Sequence, residues 1–243
     1  RRELRRFMTL PNQTIVPPVL TAVLYIIIFG YSLGTRIDPI KDFSYIVYIL
    51  PGLIILGVIN SSYANSTTSL FIARYEHFIQ DLLVSPLSYI KMVGAYILSS
   101  TTRGLIVGSL TLILSYLLVS VPLFSPILMA LFMILTAATF GAYGILVGLW
   151  AERWDNIALF QNYLITPLIF LGGVFYSVET LPSPWREVSY FNPLFYMVDG
   201  FRFGMLGTSA VSPWISGSIL TLLLLAGTTS SLYLFKIGWK LRD

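Results

Sequence analysis

Cysteine is absent from the 243-residue sequence, which removes disulfides and thiolate metal sites while leaving the compartment open. Charge is scarce, at 11% Asp, Glu, Lys and Arg, against roughly a quarter in an average soluble domain. No GxxxxGK[ST] phosphate cradle occurs, so the chain is not expected to bind and hydrolyse ATP itself. No carboxylate falls clearly in the middle of a long apolar run, so the intramembrane proton relay of a secondary carrier has no obvious residues. No run pairs a nucleophile with a base at usable spacing, which argues against a membrane-embedded hydrolase. The single histidine, His77, reads as part of a solvated face rather than as a metal ligand. No catalytic or metal site is expected.

Apolar residues fill the space that charge leaves, at 56% of the chain, so lipid is the expected solvent for most of it. At about 20 residues per span there is room for roughly six helices. The net charge of +4 sits at the edges of apolar runs, and nucleic acid is excluded as a partner. The runs predict spans over 14–33, 43–73, 92–119, 125–151, 157–176 and 213–237. The first is too long for a signal peptide, lacks a small-residue cleavage site and is expected to stay as an anchor. The sequence opens on Arg1 rather than methionine, and trimming there is expected.

An even number of spans puts both termini on one side. With the N-terminus inside, inner segments hold Arg1, Arg2, Arg5, Arg6, Arg74, Lys91, Arg153, Lys236, Lys240 and Arg242, and outer loops hold only Arg36, Lys41, Arg186 and Arg202. The positive-inside rule therefore puts both termini in the cytoplasm. Trp150, Trp154 and Trp239 then fall at the inner interface, and Trp185 and Trp214 at the outer one. Residues 1–10, rich in arginine, predict an interfacial helix suited to anionic lipid headgroups.

Two segments between spans carry pattern. In 74–85, Tyr75, Phe78, Ile79 and Leu82 recur at i, i+3, i+4 and i+7, with Glu76, His77, Gln80 and Asp81 on the remaining face. This predicts a short amphipathic helix from Tyr75 to Val84, stopped by Pro86. It either lies on the inner leaflet or docks a cytosolic partner. In 177–207, the run Leu194 to Leu206 is too short to cross a hydrocarbon core of about 30 Å. It predicts re-entrant structure on the outer side, tolerated at membrane depth only where protein or a water-filled cavity surrounds it. Phe175 and Tyr176 just before it, with its Phe195, Tyr196, Phe201 and Phe203, are candidates for an apolar gate. Asp199 and Arg202, at i and i+3, are expected to neutralise one another and stabilise the fold.

Within the spans, Arg103 is expected to face protein or water, pinning helices through carbonyls or span-two asparagines, or touching cargo. Asn60 and Asn65 on span two either line a pathway or hold helices together. Gly104/Gly108 and Gly144/Gly148 offer close-approach points with the same packing meaning.

Four stretches in order, PPVLTAVLYIIIFGYSLG, YILPGLIILGVINSSYANS, RYEHFIQDLLVSP and GGVFYS followed by LP, NPL, Y and DGFR, resemble the permease subunits of ABC-2 type ATP-binding-cassette exporters over essentially the whole chain. The resemblance implies a single ABC-2 type transmembrane domain over 1–243. Its fold would be all-α and integral to the membrane, with six transmembrane helices and short extracytoplasmic re-entrant helices between spans five and six. It further implies that the inner-loop helix is a coupling helix. Tyr75, Glu76, Phe78, Ile79, Gln80, Asp81 and Leu82 would seat it on an ATPase. The expected partners are a second copy of the chain, two copies of a cytosolic ABC ATPase and membrane lipid. ATP and Mg belong to the ATPase, and no cofactor to this chain. The expected function is export of an apolar or amphiphilic cargo across a bacterial or archaeal cytoplasmic membrane. The alternative is a channel or membrane scaffold that needs no motor.

Overall fold

The computed structural model describes residues 2–34, 36–84 and 87–241; the side chains of residues 2, 4, 5, 31, 33 and 81–83 are also outside the description. The described residues are helical, without a β-strand; an isolated antiparallel bridge joins Ile40 and Phe43. In chain order the helices are α1 (Arg2–Thr9), α2 (Pro11–Thr14), α3 (Val16–Ile28), α4 (Tyr45–Tyr75), α5 (Phe78–Val84), α6 (Tyr89–Leu118), α7 (Pro126–Trp150), α8 (Trp154–Phe160), α9 (Thr166–Leu171), α10 (Trp185–Phe191), α11 (Pro193–Leu206) and α12 (Pro213–Ile237). Four of them, α4, α6, α7 and α12, are long and apolar enough to cross a membrane.

Two further apolar runs are helical but not uniformly α. Helix α3 continues directly into a π-helical turn, Phe29–Leu33, and α8 runs through a π-helical turn, Gln161–Ile165, into α9. Each composite measures about 27 Å at 1.5 Å per residue. The second widening lies just before Pro167, which has no N–H to return to the carbonyl of Tyr163. A turn closed at i→i−5 absorbs that gap without breaking the helix.

Helix α4 forms the centre. Its apolar side chains Ile49, Leu50, Leu53, Ile54, Ile55 and Val58 are fully buried, and α6 and α7 close on it through small residues. A Cβ on Gly108 would meet Val58 Cγ2 at 2.7 Å, and one on Gly148 would meet the Thr67 carbonyl at 2.9 Å. Ser66 Oγ donates to the Gly141 carbonyl (2.7 Å) and Thr67 Oγ1 to the Gly144 carbonyl (3.1 Å). Backbones this close satisfy hydroxyls that lipid could not, which is why both GxxxG pairs face α4.

Side chains fall into separate buried clusters. The largest joins α4, α7 and α11. A second gathers Leu70 and Ala73 of α4, Ile79 of α5, Met92, Val93 and Tyr96 of α6, Ile145 and Leu149 of α7, Phe235 of α12, and Leu241. This smaller cluster lies at the end of the bundle that carries α5.

Candidate functional site

The amphipathic helix begins later than its periodicity predicts. Helix α4 runs on through Tyr75, and His77 adopts a left-handed φ of 57° before α5 starts at Phe78. Tyr75 therefore belongs to the end of α4, where it stacks on Phe71 with ring centroids 5.9 Å apart. The reason is that the apolar spacing continues across a break it cannot register. A left-handed residue leaves the side-chain pattern intact while changing the direction of the chain.

Helix α5 is anchored by Ile79, which is 4% exposed, whereas Tyr75, Glu76, His77, Phe78 and Gln80 are exposed. The side chains of Asp81 and Leu82 lie outside the described residues. Beside this helix is a cleft of about 190 Å³, lined by Phe71, Arg74, Tyr75, Gln80, Glu152 and Lys240 among others. Lys240 Nζ donates to Glu152 Oε1 (2.6 Å) and to the Trp150 carbonyl (3.2 Å). That hydrogen bond, and the ammonium charge behind it, hold the Glu152 carboxyl below its ordinary pKa.

A closed ring of polar contacts joins α1 to α4 and α6. Arg6 Nη2 donates to the carbonyl (2.9 Å) and Oδ1 (3.3 Å) of Asn65. Asn65 Nδ2 donates to Ser99 Oγ (3.0 Å) and Ser100 Oγ (3.2 Å). One turn further along α6, Arg103 Nη2 donates to the Thr14 carbonyl (2.9 Å), and Thr14 Oγ1 donates to the Phe7 carbonyl (2.8 Å). Ser69 Oγ also donates to the Glu3 carboxylate. Of the two readings open for Arg103, the contact made is to a backbone carbonyl, and Asn65 is a helix-joining group. Asn60 is half-buried on α4. The predicted interfacial helix thus turns Arg6 inward, with Phe7 1% exposed.

The candidate gate aromatics separate into different places. Phe175 packs with Phe29 (5.4 Å), Phe170 (5.6 Å) and Tyr25 (5.9 Å), and its carbonyl accepts from Tyr45 Oη (3.1 Å). Phe195 meets Tyr190 (5.3 Å) and Tyr196 (5.1 Å), and Tyr196 Oη donates to the Tyr190 carbonyl (2.7 Å). Phe201 is fully buried in the main core, Tyr176 is half-buried, and Phe203 packs on Phe124 (5.5 Å). Within one chain these rings do not form a single constriction.

Asp199 and Arg202 are both buried, but no direct ion pair joins them. Asp199 accepts from the amides of Ala210 (2.9 Å) and Val211 (3.1 Å), fixing the approach to α12. Arg202 donates to the carbonyls of Gly173 (2.7 Å) and Tyr48 (3.4 Å) and lies over the Tyr48 ring at 4.3 Å. The two charges act on one another without direct contact, and backbone groups supply the hydrogen bonds of each. An i, i+3 spacing allows a pair without requiring one.

Sequence reasoning passed over Arg74, Glu3 and Arg6 as sites. Their only signal is position, at the borders of charge-free runs.

Comparison with known proteins agrees with this architecture. The sequence model of the ABC-2 type transporter family matches residues 1–206. The chain is 40% identical to the inner membrane transport permease YadH of Escherichia coli K12, over 93% of this chain and 88% of that one. It is 23% identical to nodulation protein J of Rhizobium leguminosarum bv. viciae, over 76% of this chain and 72% of the relative. With four membrane-length helices and a family match spanning most of its length, the chain belongs to the ABC-2 type transporter family.

Proposed function

We propose that this chain is the permease subunit of an ATP-driven exporter, working as two copies with two copies of a separate ABC ATPase. The observation that carries the reading is α5. It is a seven-residue helix in which Ile79 is buried, with Tyr75, Glu76, His77, Phe78 and Gln80 exposed around it among the described side chains. A short helix anchored on one side and polar on the other suits a groove on a partner. Helices α4, α6, α7 and α12 serve as spans two, three, four and six. The π-interrupted composites α3 and α8–α9 serve as spans one and five, since each is close to the thickness of a hydrocarbon core. The basic residues place both termini in the cytoplasm, and the relative YadH, an inner membrane permease by name, supports the cytoplasmic membrane as the location. Nucleotide binding would draw the ATPases together, α5 would carry the movement into α4, and an interface between two copies would open for an apolar or amphiphilic cargo.

The test is co-expression with a candidate ABC ATPase and purification through a tag on the permease. A two-to-two complex is expected, with ATP turnover that changes on charge reversal at Glu76 or Asp81. A permease that purifies alone and conducts ions in a bilayer would favour the motor-independent channel instead.

A further inference from the structure

Arg74 closes α4 one residue before its end, yet its guanidinium turns back into the protein. Nε donates to the Lys240 carbonyl (2.8 Å), and Nη1 is shared among the carbonyls of Gly148 (3.0 Å), Leu149 (2.7 Å) and Ala151 (3.1 Å). The last carbonyls of a helix have no intrahelical donor, and a cation there also complements the helix dipole. Arg74 therefore caps α7 from another helix. Through Lys240 it also holds the turn that follows α12, where Gly238 (φ 71°) and Lys240 (φ 53°) fold the chain back. Lys240 completes the knot by bonding Glu152 and the Trp150 carbonyl, beyond the end of α7. Underneath, the smaller buried cluster contains side chains from these same helix ends and Ile79 from α5.

We infer that Arg74 is a positioning residue that welds the root of α5, the end of α7 and the turn after α12 into one block, so that force on α5 displaces three long helices together. Arginine suits the task because its planar fork presents several donors at fixed angles, whereas a lysine ammonium is a single point that cannot span carbonyls on two elements. This rests on α5 being the element an ATPase moves. Without Arg74, α5 would still bind a partner, but the push would reach α4 alone.

The absence of cysteine allows clean paired labelling. Spin labels would be placed at Gln80→Cys on α5 and Ile237→Cys at the end of α12, both exposed. Labelled chains are diluted with unlabelled ones in lipid nanodiscs with the ATPase, and distances are recorded without nucleotide and with vanadate-trapped ATP. A single narrow distance that nucleotide does not alter is expected in the parent. Loss of that narrow peak is expected in Arg74→Gln and in Arg74→Lys, with the ATPase still bound. A parent distance that changes on trapping, or an Arg74→Gln distribution identical to the parent's, overturns the inference. Should Arg74→Gln fail to insert, Arg74→Lys, which keeps the cation but not the planar fork, is read alone. A broadened peak then supports the block, and an unchanged one counts against it. If no ATPase binds the parent, the exporter reading fails, while the nucleotide-free comparison still decides the role of Arg74.

Discussion

Asn65 joins three helices through polar contacts: it accepts from Arg6 and donates to two serines of α6, with no exposure to solvent. Truncation to alanine removes the amide that Ser99 and Ser100 accept from in an apolar setting, while Arg6 keeps the Asn65 backbone carbonyl. A loss of about 1–3 kcal/mol is expected, since a buried group left unmade costs its desolvation. The check is a drop in thermal midpoint of the detergent-solubilised protein, with Asn60→Ala as the comparison. Gly52 offers a second test of a different kind. A Cβ there would come within 2.6 Å of the Val174 carbonyl oxygen, a backbone atom with little freedom to give way. Gly52→Ala is expected to cost about 1–3 kcal/mol as overpacking, read by the same melting measurement. Neither site's partners were legible in the sequence. An asparagine in an apolar run says that it must be satisfied, but Ser99 and Arg6 lie far away in the chain, and only packing brings them close.

At the level of elements, the all-helical membrane class was legible because lipid demands that each backbone group be paired within its own segment, which makes apolar run length a direct readout. The π-helical turns in the first and fifth runs were not. They arise from local bonding registers that hydropathy does not encode. The start of α5 was misread by three residues for the related reason that a left-handed His77 changes direction without disturbing apolar spacing. At the base of α7, the Glu152–Lys240 contact gives a pH prediction. Because the folded carboxyl titrates below its ordinary value of about 4.3, the tether's contribution is present above that value. It is lost as pH falls through the lower folded one. Emission from Trp150 and Trp239 is expected to stay flat through neutral pH and to shift only in acid below the ordinary carboxylate range. Glu152→Gln should abolish that acid shift.

For the whole molecule, the arrangement puts the most buried of the four membrane-length helices, α4, in continuous connection with the short helix α5, with a break of two residues between them. On the proposed reading the same polypeptide that lines the centre of the bundle receives the push. Replacing Ile79, the buried anchor of α5, by Asp is expected to detach α5 and lower ATP turnover in the assembled complex far more than Val84→Asp at the exposed end of the same helix. Equal effects would mean that burial at Ile79 is not what seats the helix. The gate aromatics show where sequence reading stops at this scale. Aromatic content marks a segment as apolar, but Phe201 is buried inside the main cluster while Phe175 and Tyr196 pack against it from outside, and that placement depends on how helices from distant parts of the chain cross.

The ring that runs from Arg6 through Asn65 and Ser99 to Arg103 and Thr14 also sets an order of assembly. Helix α1 leaves the ribosome before α4 and α6, yet Arg6 and Glu3 also bond to Asn65 and Ser69 of α4, and the network is complete only when α6 arrives. During synthesis α1 is therefore made before any of the groups on α4 and α6 that seat it.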